Sequence, residues 1–284
     1  MKAMKPLVDT HLQQSIHISR VSLGKTTLKS ESLQSLREVG PKADNEFSVD
    51  VKAAAAMCQY AYYYLNQGRK PSAELIDGWK PMGPFEVDKL IVPGFHLKLK
   101  REFSGFSSMF FQKQSDGIQY YAFCTEGTDM TSILDWYSNI TQGLNGNSPQ
   151  YAYSIHLAKL IDHAIGNKAV LWFIGHSLGG GLASNNSLAT GRHAITFNAA
   201  GLHQNRILSS MVWDNGANMS QFNKRTKQIH AFVIEGEILN TVLRWIGQPA
   251  YGEMKLIKLN QSGINMIDKH SMITILDHLG MKHD

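Results

Sequence analysis

Residues 171–181 read LWFIGHSLGGG, an apolar run that breaks at Gly175-His176-Ser177 and resumes as a glycine-rich segment. Val170 to Ile174 has the length and aromatic and branched content of a buried strand, and Leu178 to Ala189 reads as a helix. Between them lies G-x-S-x-G, the nucleophile elbow, in which a strand turns sharply into a helix and leaves a serine with its hydroxyl exposed on a strained backbone. Gly175 and Gly179 let the strand and helix pass closely, with no side chain in the way.

A serine hydroxyl is a poor nucleophile at neutral pH, so the elbow has chemical meaning only with a base and an acid, which follow the serine in the order acid, then histidine. Ile229 to Glu235 (IHAFVIE) reads as a buried strand, and Glu237 stands in the loop at its C-terminal end, on the same sheet edge as the elbow. Glu235 is the rival acid. Strand alternation sends it to the opposite side from its neighbour, which favours Glu237.

Of the twelve histidines, His230, His270, His278 and His283 lie near or beyond this acid, with His203 closer to the elbow. His230 falls inside a strand, His278 inside a terminal helix running from about Ser271 to Leu279, and His283 in the C-terminal tail. His176 adjoins the nucleophile and is expected to pack or hydrogen-bond locally. His270 sits in a loop after the strand-like stretch Met254 to Leu259, where it can swing over the serine. It is the candidate base.

Acyl transfer also requires two backbone N–H groups aimed at the developing oxyanion. Leu178, directly after the serine and at a helix N-terminus, supplies one. Residues 119–129, QYYAFCTEGTD, read as a strand breaking at Glu126-Gly127-Thr128; Thr128 is the expected second donor.

The E-G-T-D turn, followed by Asp135-Trp136-Tyr137-Ser138-Asn139-Ile140, resembles the class 3 lipase pattern, in which R-G-T or R-G-S precedes D-W-x-x-N. With GHSLGG, TFNAAGL (Thr196 to Leu202), the Gly236-Glu237-Ile238-Leu239 acid loop and the late His270, the resemblance extends over about residues 48–280. GHSLGGGLAS and TGRHAITFNAAGL are further similar to the lipase modules of bacterial phospholipase A1 enzymes and of antibacterial toxins delivered by secretion machines. The resemblance implies an α/β-hydrolase fold with a mostly parallel central sheet flanked by helices. It also implies a Ser177, Glu237 and His270 triad and carboxylic ester hydrolysis on lipids. Glu126 departs from the pattern's arginine, and Glu237 from the commoner aspartate, which α/β-hydrolase triads exchange freely.

The rest of the chain reads consistently with this. With 284 residues, 43% of them hydrophobic, one large core is within reach, so residues 46–284 are expected to form a single catalytic domain. Residues 1–45 are polar and Ser/Lys/Gln-rich, which predicts a poorly ordered arm. Two readings of it stay open, an export signal for a specialised secretion system and a plain extension. The N-terminus lacks the apolar core of an ordinary signal peptide, and no run of about 18 apolar residues predicts a membrane span.

Ser48 to Asn66 is alanine-rich and predicts a helix. Pro71 to Pro84 predicts a loop, residues 87–111 one or two strands interrupted at Pro93-Gly94, and Tyr151 to Ile165 a helix. Two apolar clusters are candidates for a lid or substrate rim: Ile133, Leu134, Trp136 and Ile140, and the later group Ile207, Leu208, Met211, Val212 and Trp213. The family places its lid after the oxyanion strand, which favours the first. Cys58 and Cys124 have no metal-ligand spacing and are expected to be free buried thiols; no metal or other cofactor is expected.

The formal charge of +5 suits an anionic membrane surface. Basic residues are scattered and no nucleic-acid motif occurs. The expected reaction is two-step acyl transfer, with a glycerophospholipid as first substrate and a neutral glyceride or other carboxylic ester as runner-up. The expected partners are a phospholipid membrane surface and, for a delivered toxin, an immunity or inhibitor protein. A non-catalytic lipid- or protein-binding module on the same scaffold is the contrasting reading.

Overall fold

The structure, a computed structural model, describes residues 49–70, 76–91, 99–101, 106–127, 149–202, 219–245, 250–259 and 263–281. The predicted arm at 1–45 and both candidate lid clusters lie outside these residues.

The first helix, α1 (Val51–Gln67), starts where Asp50 accepts a hydrogen bond from the Lys52 amide and ends at Gly68, whose φ of 65° is the left-handed cap that glycine adopts without penalty. The run of alanines makes its buried side flat, so it lies close on the sheet. Next come β1 (Lys80–Met82), α2 (Pro84–Ile91), β2 (Lys100–Arg101), β3 (Phe106–Ser115) and β4 (Ile118–Thr125). Asp116 and Gly117, with φ of 51° and 77°, form the two-residue turn of the β3–β4 hairpin.

The remaining elements alternate: α3 (Pro149–Ile165), β5 (Val170–His176), α4 (Leu178–Thr190), β6 (His193–Phe197), α5 (Met219–Thr226), β7 (Ile229–Ile234), α6 (Ile238–Trp245) and β8 (Glu253–Ile257). Two short helices, α7 (Met266–His270) and α8 (Met272–His278), follow. The sheet order is β1-β3-β4-β5-β6-β7-β8, with β2 pairing to β3. The strands β1, β3 and β4 run antiparallel and β4 through β8 parallel.

Alternation along β5 divides the core in two. Trp172 and Ile174 pack with α1 and α8 on one face, while Leu171 and Phe173 pack with α2, α3 and α4 on the other. Burying each such side chain contributes about 1.5–3 kcal/mol. Helices thus cover both faces of a sheet whose central strands are apolar on both sides, as a parallel sheet requires. Among the described residues no helix is long and apolar enough to cross a membrane.

Three expectations need correction. Residues 87–91, read as the start of a strand, belong to the helix Pro84–Ile91, because proline suits the first helical position and Glu86 reaches back to accept from the Gly83 amide at 2.7 Å. Lys80–Met82, read as loop, is an edge strand on β3. His270, read as a loop residue, is the last residue of α7, which starts where Asn265 accepts from the amides of Ile267 and Asp268. Cys58 and Cys124 are free and buried.

Candidate active site

The parallel strands deliver their C-terminal ends to one edge, where the α/β sheet leaves a crevice for ligands. At the end of β5 the chain reverses into α4 through Ser177, with φ 56° and ψ −125°, a conformation costing on the order of 1–3 kcal/mol. Close packing maintains it. A side chain at Gly175 would collide with the backbone of Gly179, and one at Gly179 with the Thr125 carbonyl. The turn is also tied to the next strand, since the Ser177 amide donates to Phe197 O at 3.0 Å and its carbonyl accepts from Ala200 N at 2.8 Å.

Glu237 follows β7 directly, just before α6. Its carboxylate accepts from the Leu239 amide at 2.9 Å and from the Asn240 amide, at a helix N-terminus where negative charge is favoured. Glu235 points outward and is exposed. His270 Nδ1 lies 2.6 Å from Glu237 Oε2, and its Nε2 lies 2.9 Å from Ser177 Oγ. A carboxylate only accepts, so Nδ1 carries the proton and Nε2 is left with a lone pair facing the serine hydroxyl. Ser177 is 4% exposed, and Glu237 and His270 are fully buried. The structure therefore brings together three residues separated by 60 and 33 positions in sequence, all of them buried.

Two residues hold this histidine by its main chain: His176, expected to pack or hydrogen-bond beside the nucleophile, and Asn198, whose part sequence reasoning missed. His176 Nε2 donates to the His270 carbonyl at 2.7 Å. Burial first, and the neighbouring His270 second, push the His176 imidazole down to about 3, opposed by its hydrogen bond to the His270 backbone, so it stays neutral. Asn198, just past β6, donates from Nδ2 to the carbonyls of Lys269 and His270 at 3.0 and 3.1 Å, while its Oδ1 accepts from the Ile234 amide at 2.9 Å. The sequence signal for Asn198 was its place in TFNAAGL, directly after a strand and facing the acid strand. Its φ of 41° suits asparagine, which tolerates the left-handed region.

The Leu178 amide stands at the start of α4 beside the nucleophile. Thr128 and the rim residues Ile133, Leu134, Trp136 and Ile140 lie outside the described residues. Gly127, immediately before Thr128, is packed against the elbow, and a Cβ added there would come within 3.2 Å of Ser177 Cβ. Beside this turn is a cavity of about 310 Å³, bounded by α1, the end of β4, His176 and the start of α8. Among the described residues no group of His, Cys, Asp or Glu side chains is arranged to hold a metal ion.

A mostly parallel sheet covered by helices, with a strained serine between a central strand and the next helix and an acid and histidine after later strands, defines an α/β-hydrolase. The profile described as "Phospholipase-like: Tle-like phospholipase domain" matches residues 53–280, and the chain belongs to that family of lipolytic proteins. Over 68 residues it is 47% identical to an extracellular phospholipase A1 of Serratia liquefaciens; the match takes in 24% of this chain and spans about a fifth, 21%, of that relative's length. A solved complex of Rhizomucor miehei lipase, a deletion mutant, with its propeptide aligns with a TM-score of 0.46 and 12% identity, over 89% of this chain and 79% of that one.

Proposed function

We propose that this chain is a serine carboxylic-ester hydrolase of the phospholipase A1 type, releasing fatty acid from glycerophospholipids. The observation that carries the reading is the continuous chain of hydrogen bonds Ser177–His270–Glu237 among buried side chains. The phospholipase-like family and the partial match to a phospholipase A1 support the choice of lipid.

In this mechanism His270, oriented by Glu237, takes the proton from Ser177 Oγ as the oxygen attacks the ester carbonyl. The tetrahedral oxyanion is stabilised by the Leu178 N–H and by that of Thr128. His270 then protonates the departing glycerol oxygen, leaving an acyl-serine. A water molecule, deprotonated by the same imidazole, attacks this ester and frees the fatty acid. The apolar segment at Ile133, Leu134, Trp136 and Ile140 serves as lid or rim for the acyl chain.

Release of fatty acid from phosphatidylcholine–phosphatidylethanolamine vesicles tests this. Wild type should release it and Ser177→Ala should not, with unchanged circular dichroism. Equal release by both proteins would refute the nucleophile; release from glyceride emulsions alone would make the enzyme a neutral lipase; no release by wild type from any ester would make it a binding module. We extend the reading to a delivered effector with a membrane target and an immunity or inhibitor protein as partner, supported by the extracellular phospholipase relative. Expression in a bacterial periplasm should then be lethal where cytoplasmic expression is tolerated, and harmlessness in both compartments would count against it.

A further inference from the structure

Cys58 and Cys124 are the two cysteines of the chain, and the acyl-transfer chemistry uses neither. They stand 66 positions apart in sequence and meet in the core layer where α1 packs on the sheet. Helix and sheet come close there because the facing residues are small. One turn from Cys58 along α1 lie Ala54, Ala55 and Ala61, and Ala122 precedes Cys124 on the same face of β4; all four are fully buried. Side chains this short put no spacer between the two backbones, so a sulfur on the helix reaches a sulfur on the strand. The Cys124 thiol donates a hydrogen bond to Cys58. That bond, with burial and the nearby Cys58 and Glu126 acting in the same direction, raises the Cys124 thiol well above its ordinary range.

The two sulfurs are not equivalent. Cys124 has no exposed surface, whereas Cys58 is 6% exposed and forms part of the wall of the cavity beside the elbow, with Gly127 and Met272. A cavity of about 310 Å³ has ample room for a molecule the size of hydrogen peroxide, so Cys58 is the sulfur that meets an oxidant. Cys124 is the one with structural reach. Thr125, next to it, bonds through Oγ1 to the carbonyls of Ile174 and Gly179 at 3.3 and 2.7 Å, so the end of β4 is already tied to the elbow.

We propose that Cys58 and Cys124 form a redox modification site, a dithiol that hydrogen peroxide converts to an intrachain disulfide fastening α1 to the end of β4. The Cys58 thiolate attacks one peroxide oxygen and the O–O bond breaks, giving a sulfenic acid and a hydroxide that takes up the proton Cys58 had released. The Cys124 sulfur then attacks the Cys58 sulfur, the S–O bond breaks, and the leaving hydroxide departs as water with the Cys124 proton. Two thiols and one peroxide thus become a disulfide and two waters, with two electrons passing from sulfur to peroxide. The pair stays reduced where cellular thiols prevail and is bridged where oxidants do. The proposal is independent of the hydrolase reading.

Peroxide treatment of the folded wild-type protein, followed by alkylation of free thiols and peptide mass spectrometry, tests it. The expected product is a monomeric chain with a Cys58–Cys124 cross-link that dithiothreitol reverses. A bridge across 66 positions constrains the unfolded chain, so the melting temperature should rise by about 10 °C, and Cys58→Ser should show no rise. Cys124→Ala, which keeps a small apolar side chain at the buried position, should stop at the sulfenic acid of Cys58, trapped by dimedone in higher yield than in wild type. Oxidation of Cys58 to a sulfinic acid with no cross-link, thiols that react only after denaturant is added, or a bridge that leaves the melting temperature unchanged would overturn the proposal.

Discussion

The side-chain amide of Asn198 donates to the carbonyl oxygen of His270 at 3.1 Å, across 72 residues of sequence. The same carbonyl accepts from His176 at 2.7 Å, so the candidate base is fixed through its backbone from two strands while its ring is fixed by Glu237. Positioning of this kind is what lets an imidazole meet a hydroxyl without searching for it.

Replacing Asn198 by Ala removes that hold, taking from the Lys269 carbonyl this donor and from the Ile234 amide its acceptor, at about 1–3 kcal/mol for each buried group left unsatisfied, while the His270 carbonyl keeps its bond from His176. The expected result is a lower melting temperature and a fall in kcat of about tenfold to a hundredfold with KM little changed. Steady-state kinetics on a soluble short-chain ester would show the split; a KM effect with constant kcat would assign Asn198 to substrate binding instead.

Glu237→Gln should be far more damaging than its small change in size suggests. The amide can present an N–H to Nδ1 and so favour the tautomer whose Nε2 proton faces Ser177, the wrong arrangement for a base. A loss in kcat on the order of a thousandfold or more is expected, with Glu237→Asp retaining much of the activity. The same ester assay read across both variants checks this, and equal losses would point to packing as the cause.

His176 gives the protein a defined acid sensitivity. Its folded-state value near 3 lies below the ordinary 6.5, so between those pH values the unfolded chain binds the extra proton and stability falls as pH drops from 6.5 toward 3. His230, lowered to about 4 chiefly by burial, adds to the same trend. Denaturant melts at pH 7 and pH 4.5 should show a smaller pH-dependent loss for His176→Gln than for wild type. An unchanged difference would mean that other groups set the acid limit.

Gly179→Ala tests the elbow itself. The added methyl would meet the Thr125 carbonyl, and relief by backbone shift should cost about 1–3 kcal/mol or more, seen as a lowered melting temperature together with lost activity. A variant as stable as wild type would mean that the strand and helix are less tightly apposed.

Much of the site was legible in the sequence because its parts obey local rules. Gly175-x-Ser177-x-Gly179 announces close approach, and strand alternation separated Glu237 from Glu235, which the structure leaves exposed. His270 was found by chain order, although its helix was missed: five residues are too few to display a helical period, and the decisive signal was the Asn265 cap. The α2 segment misled for a related reason, since its apolar residues are compatible with either period and a capping glutamate decided the outcome. The part of Asn198 was not legible, because its meaning lies in contacts with segments far along the chain.

The most direct measurement is covalent labelling with a fluorophosphonate, followed by peptide mass spectrometry. The account predicts one phosphonyl group per chain, on Ser177, formed rapidly by wild type and slowed at least a hundredfold by His270→Ala. Labelling at another residue, or at an equal rate in the variant, would contradict the claim that the imidazole of His270 activates the Ser177 hydroxyl.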